Sequence, residues 1–259
     1  MTARFEIDLA GPSLAASVGD ESLFIQPIGA VEHHGPHLPL GTDSIVVDEL
    51  AKGVMVERRD LDLIMLPTLS YGLSTEHIWA PGTITMSAST VLAVLGDVAA
   101  SVVRAGGKRL ALFNGHGGNT HLLRVAIREI RAATSLETYI VSGGLPPDNG
   151  GPPTDPREEG LGIHGGIGET SVMLYLRPEL VDMEKAKRSV PSWIHDYRYV
   201  GFGKSAEFAW LSSDLSSSGV IGDPTLADAD LGKERFHSSV SGLGDVLEEL
   251  MGFHFPDAT

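Results

Sequence analysis

The stretch Arg109-Leu-Ala-Leu-Phe113-Asn114-Gly115-His116-Gly117-Gly118-Asn119 decides the fold. Its first five residues, apolar after Arg109, read as a short buried strand. The glycines end that strand, and 119–133 takes up the apolar spacing of a helix. Before it, 90–105 carries Val91, Leu92, Val94, Leu95, Val98, Val102 and Val103 on one stripe and stops at Gly106-Gly107. Working outward, 23–28, 61–66 and 138–141 read as strands. The segment 43–58 reads as a helix with Thr42 or Asp43 as its N-cap, and 169–176 as a helix stopped by Pro178. The tail 227–251 reads as a helix broken by Gly242 and Gly244. Strands separated by helices predict an α/β fold in layers, with a mostly parallel sheet. The run 146–159 is Pro, Gly and charge, and reads as an exposed loop, while 190–224 shows no usable periodicity. No repeat divides the chain, so residues 1–259 are expected to form one domain.

Composition narrows the function. The chain has 259 residues, 42% of them hydrophobic, enough for a full core. It has no cysteine, which excludes disulfides, thiolate-bound zinc, iron–sulfur clusters and a thiol nucleophile. Asp+Glu 34 against Lys+Arg 19 gives a net charge of −15, unsuited to broad contact with nucleic acid or anionic membrane. The N-terminus carries charge where a signal peptide needs an apolar run, and Asp97 interrupts the most apolar stretch, 91–103. A soluble, cytoplasmic protein is expected.

Three segments carry chemistry. Glu32-His33-His34-Gly35-Pro36-His37-Leu38-Pro39-Leu40-Gly41-Thr42-Asp43 follows the first of these strands. Glu32 and His34 are two apart, so an extended backbone points both to one face, and the turn residues fold Asp43 back toward them. Carboxylates and an imidazole converging there suit a metal of hard to borderline character; a polar turn with a helix cap is the plainer alternative. His33 and His37 lie off that face and read as groups behind the ligands or on the pocket wall. The second segment, Asn114 to Asn119, sits at the carboxyl end of a strand, where open α/β sheets bind ligands, and His116 is its metal-binding side chain. The third, Gly162-Ile163-His164-Gly165-Gly166-Ile167-Gly168-Glu169-Thr170-Ser171, places Glu169 in the first turn of a helix and His164 in a glycine-rich loop. A helix N-terminus favours a carboxylate whatever its function, but nothing of the kind accounts for His164. Gly160-x-Gly162-x-x-Gly165 follows no strand, and Gly201-Phe-Gly203-Lys204-Ser205 has Arg198 where a phosphate loop begins with glycine, so neither is a nucleotide motif.

These segments, together with Tyr71-Gly-Leu-Ser-Thr-Glu76-His77-Ile-Trp-Ala-Pro81-Gly82-Thr83-Ile84, occur in the order found in the creatininase (creatinine amidohydrolase) family, which the chain resembles. The resemblance implies a three-layer α/β/α subunit with a mostly parallel central sheet, usually a homohexamer, and two divalent metal ions bridged by an aspartate. By position Asp43 is the bridge, Glu32 and His116 complete one metal site and His34 holds the other. Creatininase itself has a glutamate ligand two residues after the histidine matching His116, where this chain has Gly118. Many relatives share that Gly-Gly-Asn version, and Glu169 is the replacement the resemblance suggests. Creatininase also closes an aromatic residue over its substrate four positions before the histidine matching His164. Gly160 stands there, which turns the expectation away from creatinine. Trp79, Trp193 and Trp210 read as core or subunit-contact residues, and Glu76 and His77 as bordering the pocket or a subunit contact.

The expected activity is hydrolysis of a C–N amide bond in a small or cyclic amide. The cations, Zn²⁺ before Mn²⁺ or Fe²⁺, supply an activated water, and His164, with a resting pKa near neutrality, carries the proton. Glu169 joins His164 in the catalytic set. The alternatives are a peptidase trimming a short precursor peptide, as in mycofactocin-type maturation, and a non-catalytic metal- or ligand-binding subunit on the same fold. The partners expected are a small-molecule amide and further copies of the chain.

Overall fold

The computed structural model describes residues 3–143 and 155–256. Five strands, β1 (Arg4–Phe5), β2 (Leu23–Ile28), β3 (Leu63–Met65), β4 (Arg109–Asn114) and β5 (Glu137–Ser142), form one sheet in the order β1-β3-β2-β4-β5. Every neighbouring pair is parallel. The helices are α1 (Gly11–Ser17), α2 (Thr42–Glu57), α3 (Ala88–Arg104), α4 (Thr120–Thr134), α5 (Ile167–Leu176), α6 (Ser212–Leu215) and α7 (Ala229–Gly252).

The alternation of side chains along a strand divides the core into two layers. Leu23, Ile25, Leu63, Met65, Ala111 and Phe113 face one side and pack on Val47, Leu50 and Val54 of α2 and Phe236, Val240 and Leu243 of α7. Phe24, Ile64, Leu110 and Leu112 face the other and pack on Val91, Leu95 and Val102 of α3 and Leu123 and Ile130 of α4. Each fully buried Leu, Ile or Phe contributes about 1.5–3 kcal/mol, and a sheet covered on both faces is the three-layer α/β/α arrangement. No helix of the described residues is long and apolar enough to cross a membrane.

This topology places the site. After β2 the chain goes to α2 on one face, and after β4, the strand beside it, to α4 on the other. Connections that leave adjacent strands in opposite directions open a crevice at the carboxyl ends of those strands. Glu32 and His34 follow β2, and His116 follows β4.

Several sequence expectations are corrected. The last helix runs unbroken through Gly242 and Gly244. A Cβ at Gly244 would lie 3.0 Å from Arg58 and one at Gly232, earlier in the helix, 1.8 Å from Ser171 O, so Gly244 and Gly232 serve close packing. Gly41, not Thr42 or Asp43, is the N-cap of α2, whose first turn contains both of those residues. Of the loop expected over 146–159, residues 146–154 lie outside the described residues. Its end is not all exposed: Glu158 is buried, and its Oε1 accepts hydrogen bonds from Ile167 N at 2.9 Å and Asp223 N at 2.8 Å. A Cβ at Gly162 or Gly166 would come within 2.1 or 2.2 Å of the oxygens of this carboxylate, so one glycine of the nucleotide-like motif, Gly162, and Gly166 just beyond it make room for Glu158.

Candidate metal centre

The exit from β2 is pinned on both sides. Ile28 pairs with Leu69 and Val31 with Ile84 in isolated bridges, which draw the long loop after β3 across the crevice. Asn119 ties the same loop down, its Oδ1 accepting from Leu73 N at 2.9 Å and its Nδ2 donating to Gly29 O at 3.3 Å. Asn114 holds the turn after β4, donating through Nδ2 to His116 O at 2.8 Å and accepting from His116 N at 3.2 Å. The two asparagines of the second motif are therefore positioning residues for His116 and for the loop that faces it.

Glu32, His34, Asp43, His116, His164 and Glu169 converge here. Asp43 offers Oδ1 to His34 Nε2 at 3.2 Å and Oδ2 to His116 Nδ1 at 3.0 Å, one oxygen to each imidazole. Glu32 Oε2 lies 3.2 Å from His116 Nε2, and its Oε1 lies 3.6 Å from His164 Nδ1 and 3.9 Å from His34 Nε2. His34 Nδ1 donates to Glu32 O at 3.1 Å, and its Nε2 is hydrogen-bonded to Asp43 Oδ1 at 3.2 Å. Glu169 Oε2 accepts from Gly165 N at 2.6 Å, and its carboxylate groups with His34 and His164. His164 Nε2 donates to the carbonyl of His33 at 2.7 Å, so Nδ1 is the nitrogen that faces the cluster.

The protonation balance is that of a site built for cations. Burial, followed by the charge of Asp43, pushes the Glu32 carboxyl up to about 8, and burial pushes Glu169 up as well. Burial opposes charge on His34 and His116, but the Asp43 carboxylate outweighs it and raises them to about 10 and about 9. Those same imidazoles hold Asp43 well below the usual carboxylate range against its burial. Both oxygens of Glu32 and Oδ2 of Asp43 are buried without a hydrogen-bond partner among the described residues. Glu32, His34 and Asp43, and Glu32, Glu76 and His116, bring ligand atoms close enough together that each group could hold a metal ion. Carboxylates and imidazoles without thiolate fit Zn²⁺, Mn²⁺ or Fe²⁺.

Burial, followed by the positive charge of His34, drives His164 well below its ordinary pKa. The near-neutral value expected from sequence is thus corrected: His164 rests as a neutral imidazole, stacked between the rings of His34 and His77 at 4.1 and 4.0 Å between centroids. His33 and His37 point elsewhere. His33 Nε2 donates to Ser218 O at 2.8 Å, and His37 Nε2 lies 3.0 Å from Thr170 Oγ1.

Sequence reasoning left Glu76 and His77 at the margin, and the structure brings both into the cluster. Their short 3-10 turn, Thr75–His77, sets His77 Nε2 3.5 Å from Glu32 Oε1 and Glu76 Oε1 3.5 Å from His116 Nε2. Adjacent acid and imidazole in a glycine-bounded loop were the available signal. None of the three tryptophans belongs to the core. Trp79 is 37% and Trp193 49% exposed; Trp79 Nε1 donates to Ser212 Oγ at 2.7 Å, which in turn lies 3.0 Å from His77 Nδ1. Trp210 lines the cavity. That cavity, of about 630 Å³, has Asp43, Glu76, His116, His164 and Glu169 on its inner wall. Its outer wall is built by Phe202, Phe208 and Trp210 from the stretch that showed no periodicity.

A family model described as creatininase, creatinine amidohydrolase, matches residues 8–247. The chain belongs to the creatininase family. The mycofactocin precursor peptide peptidase of Mycolicibacterium smegmatis is 30% identical over 232 residues, covering 87% of this chain and 84% of that one. Creatinine amidohydrolase of Pseudomonas putida is 27% identical over 248 residues, covering 90% and 91%. Among solved structures, a glutamate-to-glutamine variant of creatininase in a zinc–zinc form matches with a TM-score of 0.74 at 26% identity, over 95% of this chain and 98% of that one. The three-layer fold is thus that of the creatininase family, and the relatives named for an activity are hydrolases.

Proposed function

We propose that the chain is a metal-dependent hydrolase of C–N amide bonds whose cations are held by Glu32, His34, Asp43, His116 and Glu169. The observation that carries this is the set of buried, unpartnered carboxylate oxygens, both of Glu32 and Oδ2 of Asp43, facing the imidazoles of His34 and His116 at the carboxyl ends of β2 and β4. Divalent cations bound there supply a water of lowered pKa and polarise the scissile carbonyl. Asp43 joins the two halves of the site because each of its oxygens addresses a different imidazole. His164 handles the proton. Its Nε2–H is committed to the carbonyl of His33, so Nδ1 takes the proton from the attacking water and returns it to the leaving nitrogen.

The cavity selects the substrate by charge and shape. Among the described residues that line it none is Lys or Arg, whereas Asp43, Glu76, Glu169 and Glu207 are acidic, which disfavours phosphate and other strongly anionic substrates. Phe202, Phe208 and Trp210 suit a flat or apolar group beside the reacting amide.

The second reading, a peptidase acting on a short peptide, is favoured by the likeness to the mycobacterial peptidase over most of both chains and by a cavity too large for a small cyclic amide alone. Hydrolysis assays on cyclic amides and on short peptides, with Zn²⁺ or Mn²⁺ restored to the purified chain, separate the two readings by product. In whichever assay is positive, His164→Ala is expected to retain the metal content of the parent and lower kcat by about 10²–10⁴-fold. An unchanged kcat removes His164 from the mechanism.

A further inference from the structure

His116 Nε2 is surrounded by more oxygens than one nitrogen can serve. Leu73 O lies at 3.0 Å, Glu32 Oε2 at 3.2 Å, and Glu76 Oε1 and Ser74 Oγ at 3.5 Å each. An imidazole nitrogen carries at most one proton, yet two carboxylates and a carbonyl converge on it, and neither oxygen of Glu32 has a hydrogen-bond partner among the described residues. Ligand atoms of Glu32, Glu76 and His116 all lie within 4.8 Å of one another. Two ligands on one cation at about 2.0–2.2 Å each lie no more than about 4.4 Å apart, and Glu32 Oε2 and Glu76 Oε1 stand 3.2 and 3.5 Å from His116 Nε2, inside that limit.

Gly118 explains why Glu76 fits. A Cβ at that position would lie 2.2 Å from Glu76 Oε1, 2.5 Å from His116 Nε2 and 2.7 Å from Leu73 O. Any side chain there would displace the Glu76 carboxylate or the imidazole. The bare backbone at 118 and the acid at 76 are thus parts of one arrangement, while Glu169 keeps to the other flank with His34 and His164.

We propose that Glu76 is a protein ligand of the cation held by Glu32 and His116, admitted by the absence of a side chain at Gly118. This rests on the metal-dependent reading above. The space left by the glutamate of creatininase is, on this account, taken by a carboxylate arriving from the loop after β3.

The test uses the full chain, stripped with chelator and titrated with Zn²⁺ by calorimetry against a competing chelator. The visible spectrum of the Co²⁺-loaded form is recorded in parallel. Glu76→Gln keeps the size of the side chain and removes its charge; it is expected to weaken one of two ions by at least about tenfold and to change the Co²⁺ spectrum. Gly118→Ala leaves every ligand in the sequence and is expected to do the same by pushing Glu76 aside. His121→Ala, on the same cavity wall but outside the cluster, should leave both ions as tight as in the parent. Undiminished affinity for both ions in Glu76→Gln, or in Gly118→Ala, overturns the assignment while the parent's two ions uphold the reading beneath it. A parent chain that takes up no Zn²⁺ overturns both.

Discussion

The two ends of the same sheet bury carboxylates in opposite ways. At the amino ends of the strands Asp62 is fully answered: Arg4 Nη1 donates to Oδ1 at 2.6 Å and Ser22 Oγ donates to Oδ2 at 2.6 Å. At the carboxyl ends Glu32 is more deeply buried than Asp62, and neither of its oxygens has a hydrogen-bond partner among the described residues. Burying an unanswered carboxylate costs several kcal/mol, and a fold that settles the matter at one end of a strand leaves it open at the other. A satisfied acid holds the chain together. An unsatisfied one is kept for something the chain binds.

That contrast can be broken by substitution. The largest effect is expected from Asp43→Ala, which removes the carboxylate shared by His34 and His116: metal content by elemental analysis and turnover should fall together to background. Full turnover in that variant would sink the bridging role. Asp62→Ala should do the reverse, with metal content unchanged and stability to urea lowered by about 1–3 kcal/mol, because half-buried Arg4 loses its carboxylate and keeps its bonds to Ser17. A loss of metal in Asp62→Ala would show that the two ends are not independent.

His37 stands between the extremes, with Nε2 bonded to Thr170 and Nδ1 buried without a partner. Burial, aided by the charge of His34, lowers its pKa from 6.5 to about 4. The unfolded chain therefore takes up a proton that the folded chain refuses, and stability contributed by neutral His37 is present above pH 6.5 and lost as pH falls toward about 4. The loss is at most about 3 kcal/mol. Urea unfolding of the parent and of His37→Gln across that window measures it as the difference between the two pH slopes; parallel slopes would assign the acid sensitivity elsewhere.

What could be read from the sequence follows from the range of the interactions involved. Strand and helix periods are local, so β2, β4, α3 and α4 are legible within a residue or two, and the spacing of Glu32 and His34 announces their shared face. His116 and Glu169 are visible because glycine-rich turns at element ends are local too. Glu76 and His77 are not, since their place depends on bridges from Leu69 and Ile84 to the exit of β2, contacts between segments some 40 to 50 residues apart. The aromatic wall at 202–210 is hidden for a different reason: it has no regular element and so no period to detect. Gly244 misleads because a glycine that admits a neighbour, here Arg58, and one that ends a helix look alike until the neighbour is known.

Glu158 has a consequence beyond its own hydrogen bonds. Its carboxylate joins the start of α5, which bears Glu169, to Asp223, two residues beyond the Ile221 that bridges to His164. The aromatic stretch 202–210 lies outboard of that junction. The wall that lines the cavity and the fixture that holds the start of α5 beside the His164 bridge are therefore built from separate parts of the chain. One buried acid thus acts as a keystone: the loop of His164 and the helix of Glu169 lean on it, and the aromatic wall does not need to bear that load.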